Sequence, residues 1–114
     1  QPDDNDEDLA FMVRKITNIR IFDDEKGALN KSISDINGDI LLVPNFTLAA
    51  DTTRGNRPGF STAMPPDIAK PMFEKFVDDV SCAYTKVASG VFGADMKVSL
   101  INDGPITISL ASKK

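Results

Sequence analysis

The chain has 114 residues, of which 41% are hydrophobic and 26% charged, and this composition is typical of one globular domain. A domain of this size buries only about two thirds of its unfolded surface, which favours a partner subunit that completes the core. The absence of histidine excludes a histidine general base and an imidazole-bound zinc, and the single cysteine excludes an internal disulfide. We expect no metal and no other cofactor, and we predict that Cys82 is a small buried side chain on a helix.

The formal net charge of -4 at pH 7 is unevenly distributed along the chain. Five of the seventeen acidic residues lie between Asp3 and Asp8, where there is no basic residue. From Leu9 onward there are twelve acidic and thirteen basic residues, so the body of the domain is nearly neutral. The net charge therefore does not exclude a local basic site for nucleic acid.

The hydropathy of the sequence bears on the cellular location of the protein. No apolar run reaches the roughly 18 to 20 residues that a membrane-spanning helix needs. We recognise no signal peptide at the start of the sequence. The sequence therefore predicts a soluble, cytoplasmic protein with no membrane partner.

The first predicted element is a short amphipathic helix behind the acidic residues, with Asp6 or Asp8 as its N-cap. Its apolar positions recur at helical spacing: Leu9, Met12, Val13 and Ile16. The following segments favour strands over 19–22 and 32–36, with the charged turn 23–27 between them.

The middle of the chain predicts a hairpin turn, a strand and a long loop. The turn signal is the segment 37–39 (NGD), and the apolar run 40–43 after it predicts a strand buried on both faces. Pro44 ends the ladder, and 45–50 keeps a strand-like composition. The loop 51–66 contains two glycines and three prolines, and irregular loops of this length are often functional.

A second helix is predicted from Asp67, with Pro71 in or near its first turn. Its apolar stripe, which we interpret as core, consists of Ala69, Met72, Phe73, Phe76, Val80 and Ala83. Alternation over 98–100 and 106–110 predicts two final strands. Helices and strands occur without a βαβ rhythm, so the predicted fold class is α+β.

Three segments carry residue types that suggest a site. In 44–48 (PNFTL), an amide and a hydroxyl at a strand end suit a carbonyl or an oxyanion, although an ordinary edge strand can end in the same way. In 102–107 (NDGPIT), proline after glycine suits a rigid loop that directs carbonyls outward, and the alternative is a tight turn without a ligand. In 53–60 (TRGNRPGF), the arginines suit phosphate and the aromatic ring suits a base, or the loop is simply solvated.

The hydroxyl groups near these segments are those of Thr47, Ser61 and Thr62. No histidine can activate them, which argues against covalent catalysis.

In this combination and order, the segments resemble the D-aminoacyl-tRNA deacylase family. The matching stretches extend over nearly the whole chain: 18–22 (NIRIF), 46–52 (FTLAADT), 54–60 (RGNRPGF), 90–100 (GVFGADMKVSL) and 102–107 (NDGPIT). The resemblance implies a mixed, barrel-like β-sheet with two main helices, in a homodimer with active sites at the subunit interface. It also implies hydrolysis of the ester that joins a D-amino acid, or glycine mischarged on the tRNA for alanine, to the terminal ribose of tRNA.

The resemblance implies roles for individual residues. Asn45, Phe46 and Thr47 belong to the catalytic pocket, where the 2′-hydroxyl of the tRNA assists and Thr47 positions groups rather than attacks. Gly104 and Pro105 form a cis element that one subunit inserts into the pocket of the other to exclude L-amino acids. The remaining implied substrate-binding residues are Asn102, Thr107, Phe92, Gly93, Ala94 and Met96. Weak contacts to tRNA phosphates are implied for Arg54 and Arg57.

Two departures from the family pattern bear on these expectations. Family members usually have Ser-Gln where this chain has Pro44 and Asn45, so the amide is one methylene shorter and one hydroxyl and one N–H are lost. The family also has a strand region before the first helix, whereas this chain begins at that helix. We therefore expect either a fragment or a shorter homologue with exposed strand edges.

The alternative to the deacylase is a non-catalytic homologue that dimerises or binds RNA ends. A third function, that of a small thioesterase or nucleotide hydrolase, has no support in the sequence, which shows neither a suitable base nor a phosphate-binding loop.

Overall fold

The computed structural model describes residues 2–112. These residues form an α+β arrangement with two α-helices, as predicted. In chain order the elements are α1 (Asp6–Asn18), β1 (Phe22–Asp23), β2 (Leu29–Lys31), β3 (Ile40–Leu42), a 3₁₀ helix (Phe46–Ala49), α2 (Pro66–Ala83) and β4 (Val87–Ser89).

Helix α1 begins at Asp6, which is one residue earlier than an Asp6 cap implies and three residues earlier than an Asp8 cap implies. The cap is Asn5, whose side-chain oxygen accepts hydrogen bonds from the N–H groups of Glu7 and Asp8 at 3.0 and 3.2 Å. Asp8, proposed as a cap, instead accepts the N–H of Asn5 at 2.9 Å and completes a capping box. The acidic first turn also favours the helix dipole.

Strands β1 and β2 form an antiparallel pair around the charged turn. Asp24 orders this turn by accepting the N–H groups of Lys26 and Ala28 at 2.8 and 3.0 Å. The predicted strand boundaries were wrong, because pairing is confined to residues close to the turn. In place of the strand predicted over 32–36, residues 33–37 form a turn, and the Asp35 carboxylate accepts the N–H of Ser32 at 2.8 Å.

Strand β3 pairs in parallel with β4, from Ile40 beside Val87 to Leu42 beside Ser89. The chain does turn at Asn37, which has a φ of 55°, but no hairpin forms. Burial of β3 on both faces was also a wrong prediction: Leu42 is 8% exposed, whereas Leu41 is 59% exposed. Within residues 2–112 this sheet consists of β3 and β4, and Leu41 lies on an exposed face of it.

Helix α2 packs against α1 and contacts β4. Most of its predicted stripe faces inward: Val80 is fully buried, and Ala69, Met72, Phe73 and Phe76 are half-buried. Ala83, at the end of the stripe, is exposed, so its assignment to the core was wrong. Pro71, predicted in or near the first turn, is the sixth residue of the helix and lies at the start of the second turn. Cys82 is on this helix as predicted but is exposed, since it lies two residues from Val80 and thus on the opposite side.

The predicted strands over 98–100 and 106–110 are not formed. These segments find no ladder partner within 2–112, and large apolar side chains there are exposed, including Leu100 at 64% and Ile108 at 51%. The expected barrel-like sheet was therefore wrong for this part of the chain, because the described strands form two separate two-stranded sheets. Neither of the described helices is long and apolar enough to cross a bilayer.

Candidate functional site

A cavity of about 920 Å³ lies between the start of α1, the 3₁₀ helix and α2. Its walls are largely apolar, and Asp4, Asp8, Asn45 and Ser61 are among its polar residues. Aromatic and methionine side chains supply much of the apolar wall: Met12, Phe46, Phe60, Met64, Met72, Phe73, Phe76 and Phe92. Such a space suits a ligand with a flat or apolar part and a few polar atoms.

The 44–48 segment reaches this cavity as a short helix instead of the predicted strand. Asn45 is extended and caps the 3₁₀ helix, since its side-chain oxygen accepts the N–H of Thr47 at 3.1 Å. The hydroxyl of Thr47 donates to the same oxygen. Asn45 and Phe46 line the cavity, whereas Thr47 does not.

The loop after the 3₁₀ helix folds back against it. Asp51 and Gly59 exchange two backbone hydrogen bonds of 2.7 and 2.8 Å, and the Thr62 hydroxyl donates to the Ala49 carbonyl at 2.9 Å. These bonds place Phe60 against Phe46, with ring centroids 4.9 Å apart. The ring of Phe60 therefore contacts another ring of the cavity wall.

Arg54 and Arg57 lie in the exposed part of this loop, outside the cavity. At the base of the loop, the Asp51 carboxylate accepts the hydroxyl and the N–H of Thr53 at 2.7 and 2.9 Å. These two hydrogen bonds, that of the hydroxyl first, lower the pKa of Asp51 below its ordinary value of 3.8. The carboxylate is thus held in its charged form.

The GVFGADM segment contributes two of its four candidate residues to the cavity. Phe92 lies 6.3 Å from Phe73 between ring centroids, and Gly93 lines the same wall with a φ of 79°. Ala94 and Met96 are outside the cavity. The Met96 sulfur instead approaches Gly90 so closely that a Cβ there would lie 2.7 Å from it.

The NDGPIT loop does not reach the cavity of its own chain. Asn102, Gly104 and Pro105 are exposed and absent from its walls, and the Gly104-Pro105 peptide bond is cis. Thr107 lines a second, apolar cavity of about 460 Å³ near the end of α1. The chain therefore brings Asn45, Phe46, Phe92 and Gly93 together and keeps the cis element apart from them.

Sequence reasoning missed the part of the wall that the helices supply. Met72, Phe73 and Phe76 were predicted as core, and Met12 as part of the apolar face of the first helix, but all four line the cavity. Within 2–112 no group of three His, Cys, Asp or Glu side chains is arranged to hold a metal ion.

Comparisons of the sequence with known proteins place this chain in one class, the aminoacyl-tRNA deacylases. The sequence model described as D-Tyr-tRNA(Tyr) deacylase matches residues 1–111. The chain therefore belongs to the D-Tyr-tRNA(Tyr) deacylase family, which confirms the resemblance found in the sequence motifs.

Individual relatives agree with this assignment. The D-aminoacyl-tRNA deacylase of Chlorobaculum tepidum is 57% identical over 113 residues, and that of Thermosipho africanus is 53% identical over 112 residues. Each match covers 98% of this chain and 75% of the relative, so the chain spans about three quarters of their length. A solved structure, the c-Myc DNA Unwinding Element Binding Protein, superimposes with a TM-score of 0.90 and 40% identity, over 98% of this chain and 76% of that one.

Proposed function

We propose that this protein is a hydrolase that cleaves the ester bond of D-aminoacyl-tRNA and releases a free D-amino acid and tRNA, as a proofreading step in translation. The proposal rests on one observation: Asn45, Phe46, Phe92 and Gly93 line the same cavity. It is supported by 57% and 53% identity to two D-aminoacyl-tRNA deacylases. The cavity is large enough for the terminal nucleoside and an aminoacyl group.

Hydrolysis of the ester needs no histidine if the tRNA itself supplies the group that transfers the proton. A water oxygen adds to the ester carbonyl carbon, and the carbonyl oxygen becomes an oxyanion. Collapse of this intermediate breaks the bond to the ribose oxygen, which takes up a proton as the amino acid leaves. We assign the proton transfer to the neighbouring ribose 2′-hydroxyl, which accepts the proton that the attacking water loses and passes a proton to the leaving ribose oxygen. This leaves Thr47 a positioning role.

The two ends of the substrate have separate contacts in this proposal. Phe92 and Gly93, followed by Ala94 and Met96, lie beside the terminal adenosine, where an aromatic ring can stack on the base. Arg54 and Arg57 contact phosphates of the acceptor stem, since both are exposed on a loop tied to the cavity by Phe60.

Selection of the D-enantiomer is assigned to Gly104 and Pro105 of a second subunit, with Asn102 and Thr107 as flanking contacts. Two observations support insertion from a partner: the loop lies outside the cavity of its own chain, and the apolar residues beside it are exposed. A backbone carbonyl at the α-carbon blocks one substituent position. Glycine has no side chain there, so glycyl-tRNA is also accepted.

The experiment is a comparison of hydrolysis rates on D- and L-tyrosyl-tRNA and on glycyl-tRNA, together with the mass in solution by sedimentation velocity. We expect rapid release from the D-isomer, slower or equal release of glycine, little release from the L-isomer, and a dimer. Binding of tRNA without hydrolysis of any of these esters would instead support a non-catalytic homologue. A monomer with full D-selectivity would contradict the insertion of Gly104 and Pro105 from a partner.

A further inference from the structure

The second cavity, of about 460 Å³, is lined almost wholly by large apolar side chains. Of its eleven lining residues, seven are isoleucine, one is leucine and one is phenylalanine. The apolar ones that come before residue 41 are only half-buried, and Ile106 and Ile108 are 47% and 51% exposed. Side chains of this kind are usually buried, so the cavity is an apolar surface that nothing within residues 2–112 covers.

One wall of this cavity is the edge of an extended segment. Residues 105–111 run without a helix, turn or bend, and Ile106, Thr107 and Ile108 all line the cavity. Because successive side chains of an extended segment point to opposite sides, a cavity lined by three consecutive residues lies along the edge between those sides. The backbone N–H and C=O groups of the segment point out from that edge.

The backbone groups of this segment are not paired with the rest of the chain. Within residues 2–112, no backbone hydrogen bond joins 105–111 to another segment. An added β-strand fits such an edge, because it pairs with the free N–H and C=O groups while its side chains cover the apolar walls. A small apolar ligand would cover the walls and leave the backbone groups unpaired.

The relatives of this chain contain additional residues that can supply such a strand. The two D-aminoacyl-tRNA deacylases match 98% of this chain but only 75% of their own length. The c-Myc DNA Unwinding Element Binding Protein superimposes on 98% of this chain with 76% of its own. The remaining quarter of each relative is longer than a β-strand, which usually has roughly 3 to 10 residues.

We infer that the second cavity is a docking site for one β-strand from this additional quarter of the family's length, and that the strand pairs with the backbone edge of 106–110. Its side chains cover the apolar walls, which include Ile16, Phe22 and Ile33. Asp39 is exposed and is the one charged residue among the described residues that line the cavity. It favours a strand that carries a lysine or an arginine at that end.

The inference goes beyond the proposed function and does not rest on it. The Gly104-Pro105 element comes before the paired segment and does not line the second cavity. A docked strand therefore leaves this element free to enter a partner subunit. The experiments measure binding and hydrogen exchange, so a failure of the deacylase proposal leaves their outcome unchanged.

The first test adds synthetic peptides to the 114-residue chain. Overlapping peptides of about ten residues tile the unmatched quarter of the Chlorobaculum tepidum deacylase, and hydrogen exchange is followed at the amides of 106–110. We expect one peptide to bind and to slow exchange there at least about 10-fold, since paired amides exchange only when the pairing opens. If no peptide binds, or if a bound peptide leaves exchange in 106–110 unchanged, the inference is wrong.

N-methylation of the peptide distinguishes backbone pairing from apolar contact. Two versions of the bound peptide keep every side chain, but one is methylated on the backbone nitrogens of its odd residues and the other on those of its even residues. Because a strand directs the N–H groups of alternate residues to each of its edges, at least one version should bind about 10-fold more weakly. Equal binding of both versions and the unmodified peptide would refute strand pairing.

Variants of the chain locate the docking site. Ile108→Asp places a carboxylate on the apolar wall and should weaken peptide binding at least about 10-fold. Ile101→Asp is the matched control and should bind like wild type, because Ile101 is 94% exposed and lines neither cavity. Thermal unfolding without peptide checks that both variants fold. Equal affinities of the two folded variants would place the peptide elsewhere and overturn the inference.

The same measurements identify a competing occupant. If the chain sediments as a dimer and the amides of 106–110 are already protected without peptide, a second copy of the chain covers the cavity. That result would also overturn the inference. We expect these amides to exchange freely until the peptide is added.

Discussion

The rings of Phe46 and Phe60 meet edge to face, with centroids 4.9 Å apart and planes inclined by 67°. Phe46 belongs to the 3₁₀ helix, and Phe60 follows the loop that carries both candidate arginines. Both rings line the larger cavity, although they are 60% and 40% exposed. The contact therefore joins the proposed phosphate-binding loop to the proposed catalytic pocket.

Replacing Phe60 by leucine should impair catalysis more than stability. An edge-to-face aromatic pair contributes about 0.5 to 1.5 kcal/mol beyond its buried area, which corresponds to a roughly 2- to 10-fold lower rate if Phe46 loses its position. Single-turnover hydrolysis of D-tyrosyl-tRNA measures this loss. Phe11→Leu, on α1 and outside the cavity, is the control and should keep the wild-type rate. Equal losses in the two variants would show a general packing effect.

Replacing Gly104 by alanine should weaken the discrimination between enantiomers. Gly104 has a φ of 122°, where an L-residue costs about 1 to 3 kcal/mol, although the added Cβ would have only an ordinary 3.6 Å contact with the Ile106 nitrogen. The loop is therefore expected to shift, with slower D-tyrosyl release and a higher ratio of L- to D-hydrolysis. The matched control is Gly27→Ala, at a φ of 78° in the charged turn. An unchanged ratio for Gly104→Ala would separate this loop from chiral selection.

Neutralising Arg54 and Arg57 together should weaken tRNA binding in a salt-dependent way. Each phosphate contact contributes about 0.7 to 0.9 to the slope of log K against log salt, so the double glutamine variant should lose roughly 1.5 from that slope. Titration of tRNA at several salt concentrations gives the slopes. Arg14 and Arg20 are exposed as well, and their double glutamine variant should keep the wild-type slope. If the Arg54 and Arg57 double variant had the same slope as wild type, the loop would not contact tRNA phosphates.

The charged turn should make the protein less stable in acid. The hydrogen bond from the Ala28 N–H, followed by that from Lys26, lowers the pKa of Asp24 below its ordinary value of 3.8. Because the folded pKa is depressed, this stabilisation is complete above pH 3.8 and is lost as the pH falls through the lower, folded value.

Urea unfolding at pH 6 and pH 3 measures this effect. Asp24→Asn keeps an acceptor oxygen but does not titrate, so its midpoint should fall less between the two pH values than that of wild type. Asp95 accepts no hydrogen bond among the described residues, and Asp95→Asn should behave like wild type. If the urea midpoint of Asp24→Asn fell between pH 6 and pH 3 as much as that of wild type, Asp24 would contribute nothing to the loss of stability in acid.

The two helices and the family could be recognised from the sequence alone. Helical hydrogen bonds join residues four apart, so the spacing of Leu9 to Ile16 and of Ala69 to Val80 records both the helix and its inward face. The FTL and NDGPIT segments identified the deacylase family because their residues, and the order in which the two segments occur, are specific to it.

Only the tertiary structure decided the strand partners and the arrangement of the cavity. Ile40 pairs in parallel with Val87, forty-seven residues later, and no local pattern in 37–43 distinguishes this from a hairpin. The cap formed by Asn45, the contact between Phe46 and Phe60, and the exposure of Cys82 likewise depend on which elements pack together. Spacing along a chain encodes local hydrogen bonds, whereas contacts between distant segments arise from the packing of the folded chain.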